Sequence, residues 1–169
     1  VMACQIVTSV LTAYAMIRWE FRGKKLIYGL LTLTWLVPFQ AIMVPNYVQV
    51  NAWGLKGNPL AIILPYLASA FACVSMYPSF QAARLEGRSE LRTLFHIVLP
   101  NMKSTIASLG ILLFINSWNE YMWPMLVVNG LESAPIQIGL KSFLGSDTNS
   151  WGSLMAATTI SCIPILVLY

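Results

Sequence analysis

The sequence predicts an all-α fold, a polytopic transmembrane helical bundle, from its composition and from the spacing of its apolar segments. Of 169 residues, 57% are hydrophobic and only 9% are charged, whereas an ordinary soluble domain carries about 25% charged residues. Long apolar segments alternate with short polar stretches, as the spans of a multi-pass membrane protein do. The composition therefore excludes an ordinary soluble domain.

Five apolar segments are predicted to cross the membrane: residues 1–17, 26–49, 60–79, 103–127 and 151–169. The first is shorter than the roughly 20 residues a span needs, and the last stops inside an apolar run. We therefore expect one transmembrane domain over residues 1–169, truncated at both ends. Pro38 and Pro45 predict kinks in the second span, and the polar stretches 50–59 and 129–150 are predicted loops.

The basic residues lie mostly in two clusters between apolar segments, and this placement predicts the topology. The positive-inside rule makes both clusters cytoplasmic and leaves the loops 50–59 and 129–150 outside. The formal net charge of +4 thus reflects membrane orientation rather than nucleic-acid binding. The two clusters are Arg18, Arg22, Lys24, Lys25 and Arg84, Arg88, Arg92, Lys103.

The longest polar interruption, residues 81–100, has the pattern of two short helices joined by a turn. Gly87 fits the left-handed position that ends a helix, and Ser89 fits the N-cap of the next helix. One apolar face of that second helix is predicted from helical spacing, with Pro100 at its end. The face consists of Leu91, Leu94, Phe95, Val98 and Leu99, and another face carries Arg88, Arg92 and His96.

Two sequence signatures resemble those of permease subunits in binding-protein-dependent ABC importers. Gln81-Ala82-Ala83, three residues, Gly87, nine residues and then Ile97-Val98-Leu99-Pro100 resembles the EAA loop of that family, except that Gln81 stands where glutamate is usual. The run from Asn116 to Pro124 resembles the carbohydrate branch, the maltose-type second permease. The resemblance implies six spans in the full protein, a bacterial cytoplasmic (inner) membrane location and import of a sugar. The segment before Gln81 is shorter than the family pattern, either truly or because residues are absent.

The resemblance also implies a role for the coupling segment, residues 81–100. Its first helix would dock in a groove of a cytoplasmic ATPase subunit, through Gln81, Ala82, Ala83, Arg84, Leu85, Glu86, Gly87 and Arg88. A basic amphipathic helix on the lipid surface is the alternative. Other implied partners are a second homologous permease, a second ATPase copy, an extracytoplasmic solute-binding protein and membrane lipid, but no nucleic acid. ATP and magnesium would bind the ATPase, and this chain would hold no cofactor.

A polar stripe in the fourth predicted span is the candidate substrate path. Asn116, Asn119, Glu120 and Trp123 lie at i, i+3, i+4 and i+7, which places them on one face of a continuous helix. An ionisable residue such as Glu120 costs on the order of 3 kcal/mol inside a membrane and usually faces the bundle interior or water. Gln40 in the second span is a weaker candidate. Helix packing with an outer aromatic belt explains the stripe equally well.

Catalytic chemistry finds little support in the sequence. The Gly23-Lys24 pair lacks the remainder of a phosphate-binding loop, and a single histidine cannot build a metal site. Cys4, Cys73 and Cys162 are too widely spaced to suggest zinc or redox chemistry. Two alternatives stay open: an importer of glycerol-phosphate-type solutes, and a membrane-embedded enzyme such as a transferase, for which only His96 and Glu120 are available, on opposite sides of the membrane.

Overall fold

The computed structural model describes residues 1–83, 94–95, 99–144 and 151–168, and these residues form helices and no strand. The all-α prediction is confirmed. A 3-10 turn, Leu64–Tyr66, follows the fourth helix. The helices are α1 (Met2–Arg18), α2 (Lys24–Leu36), α3 (Phe39–Ala52), α4 (Pro59–Ile63), α5 (Ala70–Ala83), α6 (Leu99–Asn101), α7 (Lys103–Trp118), α8 (Met122–Val127), α9 (Ile136–Ser142) and α10 (Trp151–Leu168).

The chain divides into two compact units, residues 1–41 with 66–113 and residues 42–65 with 114–169. In the first unit α1 packs against α5 around an apolar cluster. The Thr8 hydroxyl adds a polar contact by donating to the Leu67 carbonyl at 3.1 Å. The buried members of the cluster are Val10, Ala13, Ile17, Met76, Phe80, Leu94, Met102 and Leu109.

Among the described residues, one helix is long and apolar enough to span a membrane: α10, which has 18 residues and a mean hydropathy of 1.7. The count rises to three if the bent pairs α2–α3 and α4–α5 each form one span. The first helix, α1, is apolar but has 17 residues. These lengths come from the described ranges only, so the five predicted spans remain a prediction.

The second predicted span, residues 26–49, is wrong as a single kinked helix. It forms α2 and α3, whose axes differ by 95°. The break is at Val37, which has extended backbone with φ −76° and ψ 117°, because a residue before proline is pushed out of the helical region by the ring of Pro38. Pro45, in contrast, lies inside α3 without ending it. The third predicted span bends by 43° between the turn after α4 and α5.

In the second unit α4 and α8 are joined by backbone and side-chain hydrogen bonds. The Gly57 amide donates to the Val127 carbonyl at 2.8 Å. Gly57 has φ +83°, and an added Cβ would meet the Asn129 amide nitrogen at 2.7 Å, so this turn requires glycine. The predicted loop 129–150 is wrong where it contains α9, which brings further polar side chains to this unit.

Candidate solute path and coupling segment

The fourth predicted span is interrupted after Trp118, and this interruption organises the candidate site. The Asn119 amide still donates to the Ile115 carbonyl at 3.0 Å, which completes the hydrogen-bond ladder of α7. A new helix, α8, begins at Met122. Pro124 explains the break, because proline has no N–H to give to residue 120 and its ring clashes with that carbonyl. Within the first turn of α8 the same proline is tolerated, since amides there have no helical partner.

The interruption overturns the argument that put four polar residues on one helical face. Asn116 belongs to α7, Asn119 and Glu120 lie in the break, and Trp123 belongs to α8. Spacing of i, i+3, i+4 and i+7 gives a common face only along an unbroken helix. The structure still brings Asn119, Glu120 and Trp123 close together, through local contacts rather than a stripe.

The Glu120 carboxylate caps the new helix. Its Oε1 atom accepts a hydrogen bond from the Trp123 amide at 3.2 Å, and Tyr121, the N-cap residue, supplies no side-chain bond. A negative charge at a helix N-terminus is stabilised by the unpaired amides and by the helix dipole. A local partner therefore holds Glu120 at the break. The enzyme alternative relied on Glu120 and His96, and His96 lies outside the described residues.

The Trp123 side chain packs in the interior of the second unit. It is fully buried, with 0% of its surface exposed, and its Nε1–H donates to the Ala61 carbonyl at 3.0 Å. A buried indole usually finds such a partner because an unsatisfied N–H is costly. Trp123 thus joins α8 to α4, and its predicted place on the path stays a prediction. Asn116 and Asn119 are exposed, and Glu120 is partly buried.

Sequence reasoning missed Gln137, which lies on α9 within the stretch interpreted as a loop. Its Nε2 amide donates to the Trp118 carbonyl at 3.2 Å and reaches the Asn119 Oδ1 atom at 3.5 Å. The first bond satisfies one of the carbonyls left without a partner where α7 ends. Pro135, directly before α9, was the available signal, since proline commonly opens a helix.

Lys141 lies one helical turn after Gln137 on α9. Its side chain contacts residues at the start of α8. Its ammonium group is 5.2 Å from the centre of the Tyr121 ring and 4.0 Å from the Met125 sulfur. The Tyr121 hydroxyl also donates to that sulfur at 2.8 Å. Because residues four apart share a helical face, α9 presents an amide and a cation to the α7–α8 junction. We define the polar junction as Asn116, Asn119, Glu120, Gln137 and Lys141.

Trp118 and Gln40 are the remaining residues that concern the predicted path. The Trp118 Nε1–H donates to the Ser161 carbonyl of α10 at 3.0 Å, so α10 also supports the junction. Gln40 is exposed as the second residue of α3, and its place on the path stays a prediction.

The coupling segment begins on a packed helix. Gln81, Ala82 and Ala83 are the last residues of α5. The predicted short helix therefore does not begin as a separate helix, because its first three residues continue α5. Arg84, Leu85, Glu86, Gly87 and Arg88 lie outside the described residues. Phe80 on one side of the segment and Leu94 within it belong to the same apolar cluster.

Two neighbouring residues of the predicted apolar face of the second coupling helix differ in exposure. Leu94 is 1% exposed and packs into the core of the first unit, whereas its neighbour Phe95 is 61% exposed. Phe95 therefore offers an apolar side chain at the surface of the unit.

Comparison with known proteins supports the resemblance seen in these segments. The chain is 28% identical over 175 residues to a lactose transport system permease protein from Rhizobium radiobacter, covering 99% of this chain and 64% of that protein. It is 30% identical over 173 residues to an sn-glycerol-3-phosphate transport system permease protein from Pectobacterium atrosepticum, covering 96% of this chain and 62% of that protein. The chain thus spans somewhat less than two thirds of these relatives.

A solved structure and a family model agree with these relatives. A bacterial ABC transporter involved in the import of the acidic polysaccharide alginate superposes with a TM-score of 0.79 at 26% identity, over 99% of this chain and 69% of the other. The model for the binding-protein-dependent transport system inner membrane component matches residues 5–169. This chain therefore belongs to the family of inner membrane components of binding-protein-dependent transport systems.

Proposed function

We propose that this chain is the permease subunit of an ATP-driven ABC importer that moves a sugar or a related polar solute into the cell. The observation that carries the proposal is the polar junction, a group of amide and charged side chains at a break between two apolar helices. Interrupted helices in transporters expose backbone and side-chain polar groups where a solute can bind. Family membership supplies the transport context.

The polar junction has the chemistry that a hydroxylated solute needs. Asn116 and Asn119 are exposed, and amide side chains both donate and accept hydrogen bonds. The contact between Gln137 and the Asn119 oxygen is long, at 3.5 Å, whereas strong bonds of this type are near 2.9 Å. A solute hydroxyl can therefore replace that contact at little cost. In this proposal Glu120 holds the break open while the asparagines contact the solute.

A glycerol-phosphate-type solute is the second candidate. Lys141 favours it, because this exposed cation contacts a ring and a thioether, neither of which bears a negative charge. An ammonium group binds phosphate as a point charge. The relatives support both candidates, since one is named for lactose and another for sn-glycerol 3-phosphate.

The remaining parts of the proposal concern assembly and energy coupling. A second, homologous permease would complete the path, two cytoplasmic ATPase subunits would bind and hydrolyse ATP with magnesium, and a solute-binding protein would deliver the solute from outside. The coupling segment would transmit the ATPase motion through Gln81–Arg88. Its attachment to α5 and the burial of Leu94 support this role, because force passes through packed elements.

Reconstituted transporter carrying Asn119→Ala or Glu120→Gln tests the solute path. A hydrogen bond lost in a desolvated site is worth about 0.5–1.5 kcal/mol, so Asn119→Ala should change apparent solute affinity or uptake by roughly twofold to twelvefold. Glu120→Gln keeps an oxygen that can accept from the Trp123 amide, and it removes only the charge. The measurements are uptake and solute-stimulated ATPase activity, normalised to assembled complex.

Ile115→Ala is the control, since Ile115 is a partly buried apolar residue of α7, close to the break in sequence. It should leave the ranking of sugar and glycerol-phosphate solutes unchanged. If both polar variants assemble and transport several solutes like the parent, the polar junction is a packing feature. The solute path would then have to lie in the first unit or in the partner permease.

A further inference from the structure

A short turn between α1 and α2 combines basic and aromatic side chains in a way that the transport proposal does not use. We define the basic-aromatic turn as residues 19–25. Trp19 is 57% exposed and Phe21 is 41% exposed, although both are large apolar residues. Arg22 and Lys25 are exposed and Lys24 is partly so. Cations and aromatic rings therefore share one surface.

The local backbone explains how these side chains come to the surface together. Trp19 has extended backbone with φ −101° and ψ 132°, and its amide closes α1 by donating to the Ala15 carbonyl at 3.2 Å. Gly23, the N-cap residue of α2, has φ +95°, a conformation that glycine adopts without strain. The chain thus turns between α1 and α2 within a few residues, whose side chains are largely exposed.

The turn encloses a shallow cleft of about 550 Å³ lined by residues 20–25. Three basic side chains, those of Arg22, Lys24 and Lys25, line the cleft, and Glu20 is the one acidic side chain lining it. The formal charge of the lining is therefore three minus one, or +2. Such a cleft favours an anionic occupant.

The apolar surface next to the cleft indicates which anion this is. Leu26, Ile27, Leu30 and Leu33 of α2, which follow the turn directly, are all exposed. Aromatic rings and basic side chains at the end of an apolar helix are typical of the membrane interface, where rings sit at headgroup depth and cations meet lipid phosphates. A soluble anion would use the cations but would leave Trp19 and Phe21 without a partner.

We propose that the basic-aromatic turn is a docking surface for acidic phospholipid headgroups of the cytoplasmic leaflet. Arg22, Lys24 and Lys25 bind the headgroup phosphates, while Trp19 and Phe21 lie among the glycerol backbones and upper acyl chains. A basic residue near an anionic membrane surface contributes about 1 kcal/mol, which corresponds to roughly a fivefold preference for acidic lipid per charge.

Fluorescence quenching by brominated lipid tests this surface directly. The full-length permease with its transport partners is reconstituted in mixed phosphatidylcholine and phosphatidylglycerol vesicles, with bromine on one lipid or the other at equal total bromine. Subtracting the signal of Trp19→Phe isolates Trp19 from the other tryptophans. We expect stronger quenching of Trp19 by brominated phosphatidylglycerol, and a loss of most of that preference in the triple variant Arg22→Gln, Lys24→Gln, Lys25→Gln.

Each other outcome contradicts the proposal. Equal quenching by both brominated lipids, or an unchanged preference in the triple variant, would mean that the charges do not select lipid. Absence of quenching by either lipid would mean that a protein covers the turn in the assembled complex. Lys56→Gln removes an exposed basic residue far from the turn in sequence and should leave the preference as in the parent.

Discussion

The core of the first unit and the polar junction of the second are held together by different forces. Between α1 and α5 the contacts are mainly apolar, and Ala13, Met76 and Phe80 are almost completely buried. Around the α7–α8 break, side chains bond to backbone atoms: Gln137 to Trp118, Glu120 to Trp123 and Trp123 to Ala61. Apolar packing is costly to rearrange, whereas hydrogen bonds can be exchanged for equivalent ones at little net cost.

Under the proposed function, this difference suits the two parts to different tasks. A rigid apolar core between α1 and α5 would carry motion from the coupling segment, because Phe80 and Leu94 belong to that core. A junction built from hydrogen bonds would accept solute hydroxyls and then release them. We therefore expect changes in the core to act on stability and assembly, and changes at the junction to act on solute.

The largest effect is expected from Met76→Ala. Met76 is fully buried in the core of the first unit, and deleting a buried side chain of this size costs about 2–5 kcal/mol. The unfolding temperature and yield of the purified transporter should fall clearly. Met155→Ala, at an exposed position of α10, is the matched control and should have a much smaller effect. Equal losses from both variants would show that burial within this chain does not determine its stability.

A smaller loss is expected from Trp123→Phe, at the link between α8 and α4. Phenylalanine keeps most of the buried ring but removes the N–H that donates to the Ala61 carbonyl, and a buried acceptor left without a partner costs about 1–3 kcal/mol. Thermal unfolding should report this loss. Trp53→Phe, at an exposed position in the same unit, should shift the unfolding temperature little. Solute selectivity should not change, because Trp123 is fully buried in this unit and the proposed solute contacts are the asparagines.

The sequence was informative where a structural property depends on a residue and its near neighbours. The apolar segments and the wide spacing around Gly87 predicted the helical fold and the family. It was not informative about which prolines break helices: Pro38 lies just after the end of α2 and Pro124 in the first turn of α8, while Pro45 lies within α3. The outcome depends on whether neighbouring elements satisfy the freed backbone groups, which no local pattern contains.

The role of Trp123 could not be predicted for a related reason. Its partner, the Ala61 carbonyl, lies 62 residues earlier in the chain, so its burial follows from packing between distant elements. Gln137 was hidden because the stretch around it is polar and contains glycine, the usual composition of loops. The sequence predicted correctly that Asn119 and Glu120 are polar residues within an apolar stretch. It did not predict that they lie in a break between two helices.

Gly87→Val tests the mechanical side of the comparison. Gly87 lies outside the described residues, so this prediction rests on the family spacing, which places a left-handed backbone at the turn. That conformation costs a residue with a side chain about 1–2 kcal/mol, and β-branched valine tolerates it especially poorly. We expect ATPase association or transport to fall by roughly five- to thirtyfold, while solute binding to the external binding protein stays unchanged. Normal transport would contradict a coupling role for the turn.

The smallest effect is expected from Gln137→Met, which tests whether the polar junction responds to solute. Methionine has a similar length and flexibility but cannot donate to the Trp118 carbonyl or to the Asn119 oxygen. The loss of about 0.5–1.5 kcal/mol should lower apparent solute affinity by roughly twofold to twelvefold, with little change in unfolding temperature because the Trp118 carbonyl can turn to water. Gln49→Met, at an exposed position of α3, is the matched control and should transport like the parent. A drop in stability without a change in affinity would show that Gln137, like Trp123, holds helices together. The polar junction would then act on stability, as the core of the first unit does, and not on solute.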